Sequence, residues 1–333
     1  MKTIIKLMIG IVLTTFIYVN ANAQPKSEIP DDNKPKMNWS GADTLYTFQF
    51  NSATNSWDYF QREIRRFDKK DNPTENFVQV WNNQSQNWTN YLRVNYSYDQ
   101  YDNEIEQITQ QWNNSTNDWV NAQLRTTSYT GSNRKYTDAS LRYTEFTDWR
   151  KNEVLFQHWK KPTNEWYNIM KYLISYNELG DKNTVIIKLY NGVTREWDNH
   201  KRFLMEFEND FRPPSVVISE TWSDDWATEG KYKIEYNWRG DKTQEIRYTW
   251  NKSKKNWLAG IRLEMIYDKK GNQTEYIEMK YDYANKNWVN FNRFTAIYNE
   301  KGYMTEKSEY IWNRATSQWE IKGQYKFTTE TKI

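Results

Sequence analysis

Aromatic and apolar residues alternate with polar ones along most of this chain, and clusters of turn residues interrupt the alternation at short intervals. The segment from Tyr267 to Tyr298 shows the rule. Asp268-Lys269-Lys270-Gly271 has Asp first and Gly fourth, the composition of a type I turn closed by a residue free to take positive φ. Thr274 to Tyr281 then alternates with a period of two, Asn285-Lys286-Asn287 lies in a polar loop, and Trp288 to Tyr298 alternates again. Two alternating runs bounded by turns predict an antiparallel hairpin.

The unit is copied along the chain. Trp57, Trp88, Trp119, Trp166, Trp197, Trp226, Trp257, Trp288 and Trp319 are separated by 31, 31, 47, 31, 29, 31, 31 and 31 residues. A fixed period of this size marks a repeat architecture. The turn recurs at Asp68 to Asp71, Asp99 to Asp102, Asn177 to Gly180, Asn237 to Gly240 and Asn299 to Gly302. An aromatic precedes it at Phe67, Tyr98, Tyr129, Tyr176, Phe207, Tyr236, Tyr267 and Tyr298. Another lies seven residues before most periodic tryptophans, at Phe50, Trp81, Trp112, Trp159, Tyr190, Trp250, Tyr281 and Trp312. Nine units fit. The fourth carries an irregular insertion of about 16 residues within 129–156, and the sixth is two residues short and contains Pro213-Pro214, which weakens strand pairing.

Parity predicts the register. Trp288 opposite Tyr281 places Phe294, Asn292 and Asn290 on one face with Glu275, Ile277 and Met279, and the neighbouring turn places Met265 opposite Glu275. One face then carries the tryptophan ladder, Phe77, Ile108, Ile246, Ile277 and the turn-flanking tyrosines. The other carries Thr, Asn, Glu and a basic column five places after the tryptophan: Arg62, Arg93, Lys171, Arg202, Lys231, Arg262 and Arg293. The fold class is all-β, an antiparallel meander of about nine hairpins. A sheet of about eighteen strands does not stay flat, so the meander is expected to curl into a wide barrel, shell or spiral with the aromatic face inward, or else into an open curved single-layer sheet.

The start of the chain reads as an export signal. Lys2 and Lys6 precede an apolar run from Leu7 to Val19, too short to span a membrane, and Ala21-Asn22-Ala23 is a small-x-small cleavage site. The expected division is a signal peptide at 1–23, a polar Pro-rich lead-in at 24–43 and one repeat domain at 44–333. Losing Lys2 and Lys6 takes the formal charge from +3 to +1, which argues against a nucleic-acid partner, and no membrane span is expected in the mature protein. There is no cysteine, which removes disulfides, thiolate metal sites and cysteine nucleophiles. Aromatic residues make up 17% of the chain although mean hydropathy is −1.06, so the rings are expected to supply packing that aliphatic side chains usually supply.

The step Tyr267-Asp268 followed by Gly271, Asn272 and Thr274 resembles the YD, or Rhs-type, repeats of secreted bacterial proteins, in a variant found in exported proteins of Bacteroidetes-like bacteria. The units are longer than usual YD repeats, and the tryptophan ladder is not part of that motif. The resemblance implies a β-rich extracellular shell or scaffold and supplies no catalytic residues.

Chemistry-bearing motifs are sparse. His158 and His200 stand 42 residues apart without metal-ligand spacing, and no nucleophile elbow or phosphate loop occurs. The expectation is a protein that is not an enzyme and has neither metal nor cofactor. A carbohydrate-active hydrolase using an Asp/Glu pair is the catalytic alternative. The nine periodic tryptophans read as a structural ladder, whereas the off-pattern Trp149, Trp222 and Trp238 are the candidate ligand-binding residues. Charges within strands on both faces, such as Arg247, Glu278 and Lys280 against Glu75, Glu106 and Glu275, argue against a lipid-facing barrel. The reading is a non-catalytic binding or scaffolding element, secreted, periplasmic or on the surface of a Gram-negative bacterium, for extracellular polysaccharide or a protein partner. A purely structural envelope protein is the alternative.

Overall fold

A computed structural model describes residues 44–130, 150–177, 182–207 and 213–330. These form a single sheet of eighteen antiparallel strands arranged as nine hairpins. The first four hairpins are β1 (Thr44–Asn51) with β2 (Ser56–Phe67), β3 (Pro73–Asn82) with β4 (Asn87–Tyr98), β5 (Glu104–Asn113) with β6 (Asp118–Thr130), and β7 (Arg150–Lys160) with β8 (Glu165–Tyr176). Next come β9 (Lys182–Asn191) with β10 (Glu196–Glu206), and β11 (Val216–Trp222) with β12 (Trp226–Tyr236). The last three are β13 (Lys242–Asn251) with β14 (Asn256–Tyr267), β15 (Gln273–Asp282) with β16 (Asn287–Tyr298), and β17 (Met304–Asn313) with β18 (Gln318–Glu330). Every strand pairs with its neighbours in sequence, and β1 also pairs with β18, with Thr47 opposite Phe327. The sheet is therefore a closed barrel, and closure removes the exposed strand edges of an open ribbon.

The insertion of the fourth unit leaves the wall intact. Thr130 stands opposite Arg150, so β6 and β7 pair on either side of residues 131–149, which lie outside the described residues. The short sixth unit gives the seven-residue β11, which starts two residues after Pro214.

The hairpin register is as expected at the tryptophans: Trp288 faces Tyr281, and Trp88 faces Trp81. Three residues beyond each periodic tryptophan the second strand of every hairpin carries a β-bulge, at Phe60, Tyr91, Ala122, Ile169, His200, Glu229, Gly260, Phe291 and Lys322. One extra residue reverses parity for the rest of the strand. Phe294 consequently stands opposite Tyr276 rather than sharing a face with Ile277, and Asn292 stands opposite Glu278. A second shift beside the turn puts Met265 opposite Tyr276, not Glu275.

The bulges correct the two-face assignment. The basic column lies on the same face as the tryptophans: Arg293 pairs with Ile277, and Arg93 with Phe77. The opposite face is the packed one. Val78, Leu92, Val94, Val185, Phe203, Val217, Leu263, Met265 and Tyr276 are buried there, and Phe203, Val185 and Glu245 have 0% accessible surface. The sheet is one layer thick among the described residues, so side chains this inaccessible face the enclosed space. The tryptophan ladder faces outward, contrary to the expectation from unbulged alternation, and the interior is filled at these residues by medium-sized aliphatic and tyrosine side chains.

Polar caps recur at both ends of the hairpins, although Lys160 and Glu220 take the loop-cap position in the fourth and the sixth. At the loop rim, the end carrying the tryptophan pairs, an Asn or Asp six residues before the tryptophan accepts loop N–H groups, as Asn82 does from Gln84 and Ser85 and Asn313 does from Ala315 and Thr316. At the opposite turn rim the leading Asp or Asn does the same: Asp268 Oδ1 accepts from the N–H groups of Lys270 and Asn272. The fourth turn residue has positive φ, 90° at Gly271 and 83° at Gly240, with Asp71 at 62° in the equivalent place.

Candidate binding surfaces

The outward tryptophans meet their partners edge to face across each hairpin. Ring centroids lie 5.1 Å apart in Trp81–Trp88, Trp112–Trp119 and Trp222–Trp226. Such pairs contribute about 0.5–1.5 kcal/mol beyond area burial. The basic column then links hairpin to hairpin, every cation of it except Arg262 lying over the tryptophan of the next unit. Arg62 lies 4.9 Å from the Trp88 ring, Arg93 4.8 Å from Trp119, Lys171 5.0 Å from Trp197, Arg202 4.7 Å from Trp226, and Lys231 4.5 Å from Trp257. Amides extend the chain of contacts: Arg93 Nε donates to Gln110 Oε1 at 2.8 Å, and Gln110 Nε2 donates to Asn121 Oδ1 at 2.8 Å. The ladder is thus a belt around the outside of the barrel.

Trp166 and Trp288 stand apart from this belt. Leu124 occupies the column position ahead of Trp166, and Arg262 pairs with Glu264 instead of covering Trp288.

Three candidate ligand residues were singled out in the sequence. Trp149 lies outside the described residues. Trp222 is not off-pattern: the short sixth loop makes it the cross-strand partner of Trp226. Trp238 occupies the second position of its turn and is 83% exposed, with the Arg239 guanidinium 5.7 Å from its ring. Trp222 and Trp238 flank opposite ends of the eleven-residue β12, about 33 Å apart at about 3.3 Å per residue, so they do not form one surface.

The interior offers charge rather than an evident catalytic pair. Glu245 is enclosed with Lys242 Nζ at 2.9 Å and Arg247 Nε at 2.6 Å. Burial works against its charge, yet the two cations hold its carboxyl below the ordinary Glu range. A carboxylate so held is a poor proton donor near neutral pH. The Tyr276 hydroxyl beside this cluster is buried without a hydrogen-bond partner among the described residues. His158 is on the inner face, where burial lowers its pKa, and no group of His, Cys, Asp or Glu with metal-holding geometry occurs among the described residues.

The two rims hold the remaining exposed chemistry. On the turn rim, consecutive turns are latched: Lys70 Nζ reaches Asp102 at 2.8 Å, Arg239 Nη1 reaches the Lys269 carbonyl at 2.9 Å, and Lys270 Nζ reaches the Glu300 carbonyl at 2.6 Å. On the loop rim the capping residue recurs while the sequences between caps diverge, from Ser52-Ala53-Thr54 in the first loop to Lys252-Ser253-Lys254-Lys255 in the seventh. Sequence reasoning missed these rims as possible sites because it weighed aromatics one by one. The signal was present in the loop sequences read as a set.

No family model matches the chain, and no curated protein matches it. Among solved structures it is similar to a porin-like protein from Bacteroides uniformis ATCC 8492, at 7% identity over 87% of this chain and 98% of that one, with a TM-score of 0.37. It is also similar to a DUF3836 family protein from Parabacteroides distasonis ATCC 8503, at 17% identity over 29% of this chain and 87% of that one, with a TM-score of 0.25. The TcdB2-TccC3-Cdc42 structure matches at 11% identity over 83% of this chain and 19% of that one, with a TM-score of 0.17. Similarities at this level assign neither a family nor an activity.

Proposed function

We propose that this chain is an exported, non-catalytic hairpin-repeat barrel of YD-like type that acts as a binding or scaffolding element at the surface or in the periplasm of a Gram-negative bacterium. The observation that carries the reading is the contrast between frame and rim. Wall residues recur from unit to unit and are engaged with one another, whereas the loops at one rim differ in charge and composition. Variable loops on a rigid repeated frame are the usual place for recognition. The Tyr–Asp step supports the YD-like part, since the Tyr and the Asp each have a repeated structural duty at the hairpin's open end. Export is supported by the basic start, apolar run and Ala-Asn-Ala site at the beginning of the sequence.

The outer face suits water. Arg62, Glu75, Arg93, Glu106, Lys171, Arg202 and Arg293 lie within strands on that side, where a lipid-facing band would be uniformly apolar. Extracellular polysaccharide is the ligand class favoured by exposed aromatic and amide groups, with a protein partner as the alternative. The test is to incubate the protein from Gln24 onward with a panel of soluble polysaccharides, following tryptophan fluorescence and the release of reducing ends. Saturable binding without new reducing ends supports the reading, while their release contradicts it.

A further inference from the structure

The loops joining β13 to β14, β15 to β16 and β17 to β18 are neighbours on the loop rim and carry Lys252, Lys254, Lys255, Lys286 and Arg314, all exposed. Adjacent strands are about 4.8 Å apart, so these three loops span roughly 20 Å of rim. The single acid among them, Asp282, is engaged in capping its own loop through Ala284, Asn285 and the Asn285 side chain. None of the five cations makes a salt bridge within 4.0 Å among the described residues, although Arg314 lies near enough to Asp282 to help the Asn285 side chain hold its carboxyl below the ordinary range. The sector is bounded: Asp224 and Asp225 form the loop before it, and the Asn51–Ser56 loop beyond it carries no charge. With a net charge near zero for the mature chain, this concentration is local rather than a share of general basicity.

Two further features favour a sugar polymer over a simple ion. The middle hairpin of the sector is that of Trp288, whose ring no cation covers among the described residues, since Arg262 pairs with Glu264. Tyr283, 53% exposed, stands among the cations, and its hydroxyl donates to the Ala259 carbonyl in β14, fixing the middle loop to the preceding hairpin. Aromatic rings suit the apolar faces of sugars, and the cations suit carboxylates or sulfates along a chain.

We infer that this sector of the loop rim binds an anionic polysaccharide, the Lys252, Lys254, Lys255, Lys286 and Arg314 side chains taking the acidic groups and Trp288 with Tyr283 taking sugar rings. The inference rests on the binding role proposed above and specifies its ligand. Polygalacturonate is the probe, with dextran as the neutral control and vesicles containing anionic phospholipid as the competing polyanion, all at low salt. The mature protein is compared with three variants: all five cations changed to Gln, the four lysines changed to Arg, and Lys69, Lys269 and Lys301 on the opposite rim changed to Gln. The expected result is saturable polygalacturonate binding that weakens with salt, falls at least tenfold in the five-Gln variant, and persists in the other two. Equal affinity in the five-Gln and opposite-rim variants overturns the inference, as does binding to the vesicles but not to polygalacturonate. Dextran binding unaffected by any variant would overturn this site while leaving the general binding role intact, and reducing-end release would strike that role alone.

Discussion

Lys326 Nζ lies 4.7 Å from the ring centroid of Trp57, so the last strand reaches over the first to cover the first periodic tryptophan. The belt of cations and rings is therefore continuous across the seam where β18 meets β1. A double-mutant cycle with Lys326→Gln and Trp57→Leu is expected to show a coupling of about 0.5–1 kcal/mol in urea unfolding, the range for exposed cation–π pairs. Strict additivity would mean that the seam is held by backbone pairing alone.

Six tyrosines before the turns clasp the open ends of their hairpins. Tyr298 donates to the Gln273 carbonyl at 2.8 Å, and Tyr98, Tyr129, Tyr176, Tyr236 and Tyr267 make the equivalent bond. Burial, then the charge of Asp268, pushes the Tyr298 phenol up to about 12 from an ordinary 10.0. A raised folded-state pKa stabilises fully below pH 10, and that contribution disappears as pH rises from 10 toward 12. Tyr298→Phe should lower stability by about 1 kcal/mol at neutral pH and flatten the alkaline loss in that window, measured as unfolding midpoints across pH.

Turn chemistry gives a paired prediction. Gly271 sits at φ 90° and Asp71 at φ 62° in the same place of their turns. Gly271→Ala should destabilise by about 1–2 kcal/mol, because a Cβ is strained there, whereas Asp71→Gly should be neutral or mildly stabilising. Thermal denaturation of both variants checks the contrast.

Inside the barrel, Glu245 forms ion pairs with both Lys242 and Arg247. Glu245→Ala should cost about 3–5 kcal/mol by leaving the two cations without a counter-charge. The neighbouring Tyr276→Phe removes a hydroxyl that has no partner among the described residues and should raise stability by up to about 1 kcal/mol. Loss of stability in Tyr276→Phe would show that the hydroxyl is satisfied in solution.

The hairpins, their tryptophan pairing and the turn positions were legible because period, parity and Asp-x-x-Gly chemistry are local. The faces were not. Alternation read from Trp88 assigns Arg93 to the opposite side, and nothing in Tyr91 as a residue type announces a bulge; its recurrence as Ala122, Ile169, Gly260 or Lys322 shows that the backbone, not the side chain, sets it. Closure was likewise open in the sequence, because the pairing of Thr47 with Phe327 joins residues at opposite ends of the domain. Trp222 looked off-pattern because the sixth loop is shortened, which puts it four rather than seven residues before its partner Trp226, a displacement of three. The basic sector lay in plain view as Lys252, Lys254 and Lys255, but its size depends on Lys286 and Arg314 being neighbours around the rim.

The ladder and the basic column face outward, and the alternating aliphatic set faces inward. The chain has no cysteine, so single-cysteine variants report it directly. Maleimide labelling rates in the folded protein should be high for Gln79→Cys and Arg93→Cys and at least tenfold slower for Val78→Cys and Val94→Cys. Protection of Arg93→Cys together with fast labelling of Val94→Cys would contradict the account, because it would return the column to the side that simple alternation assigns.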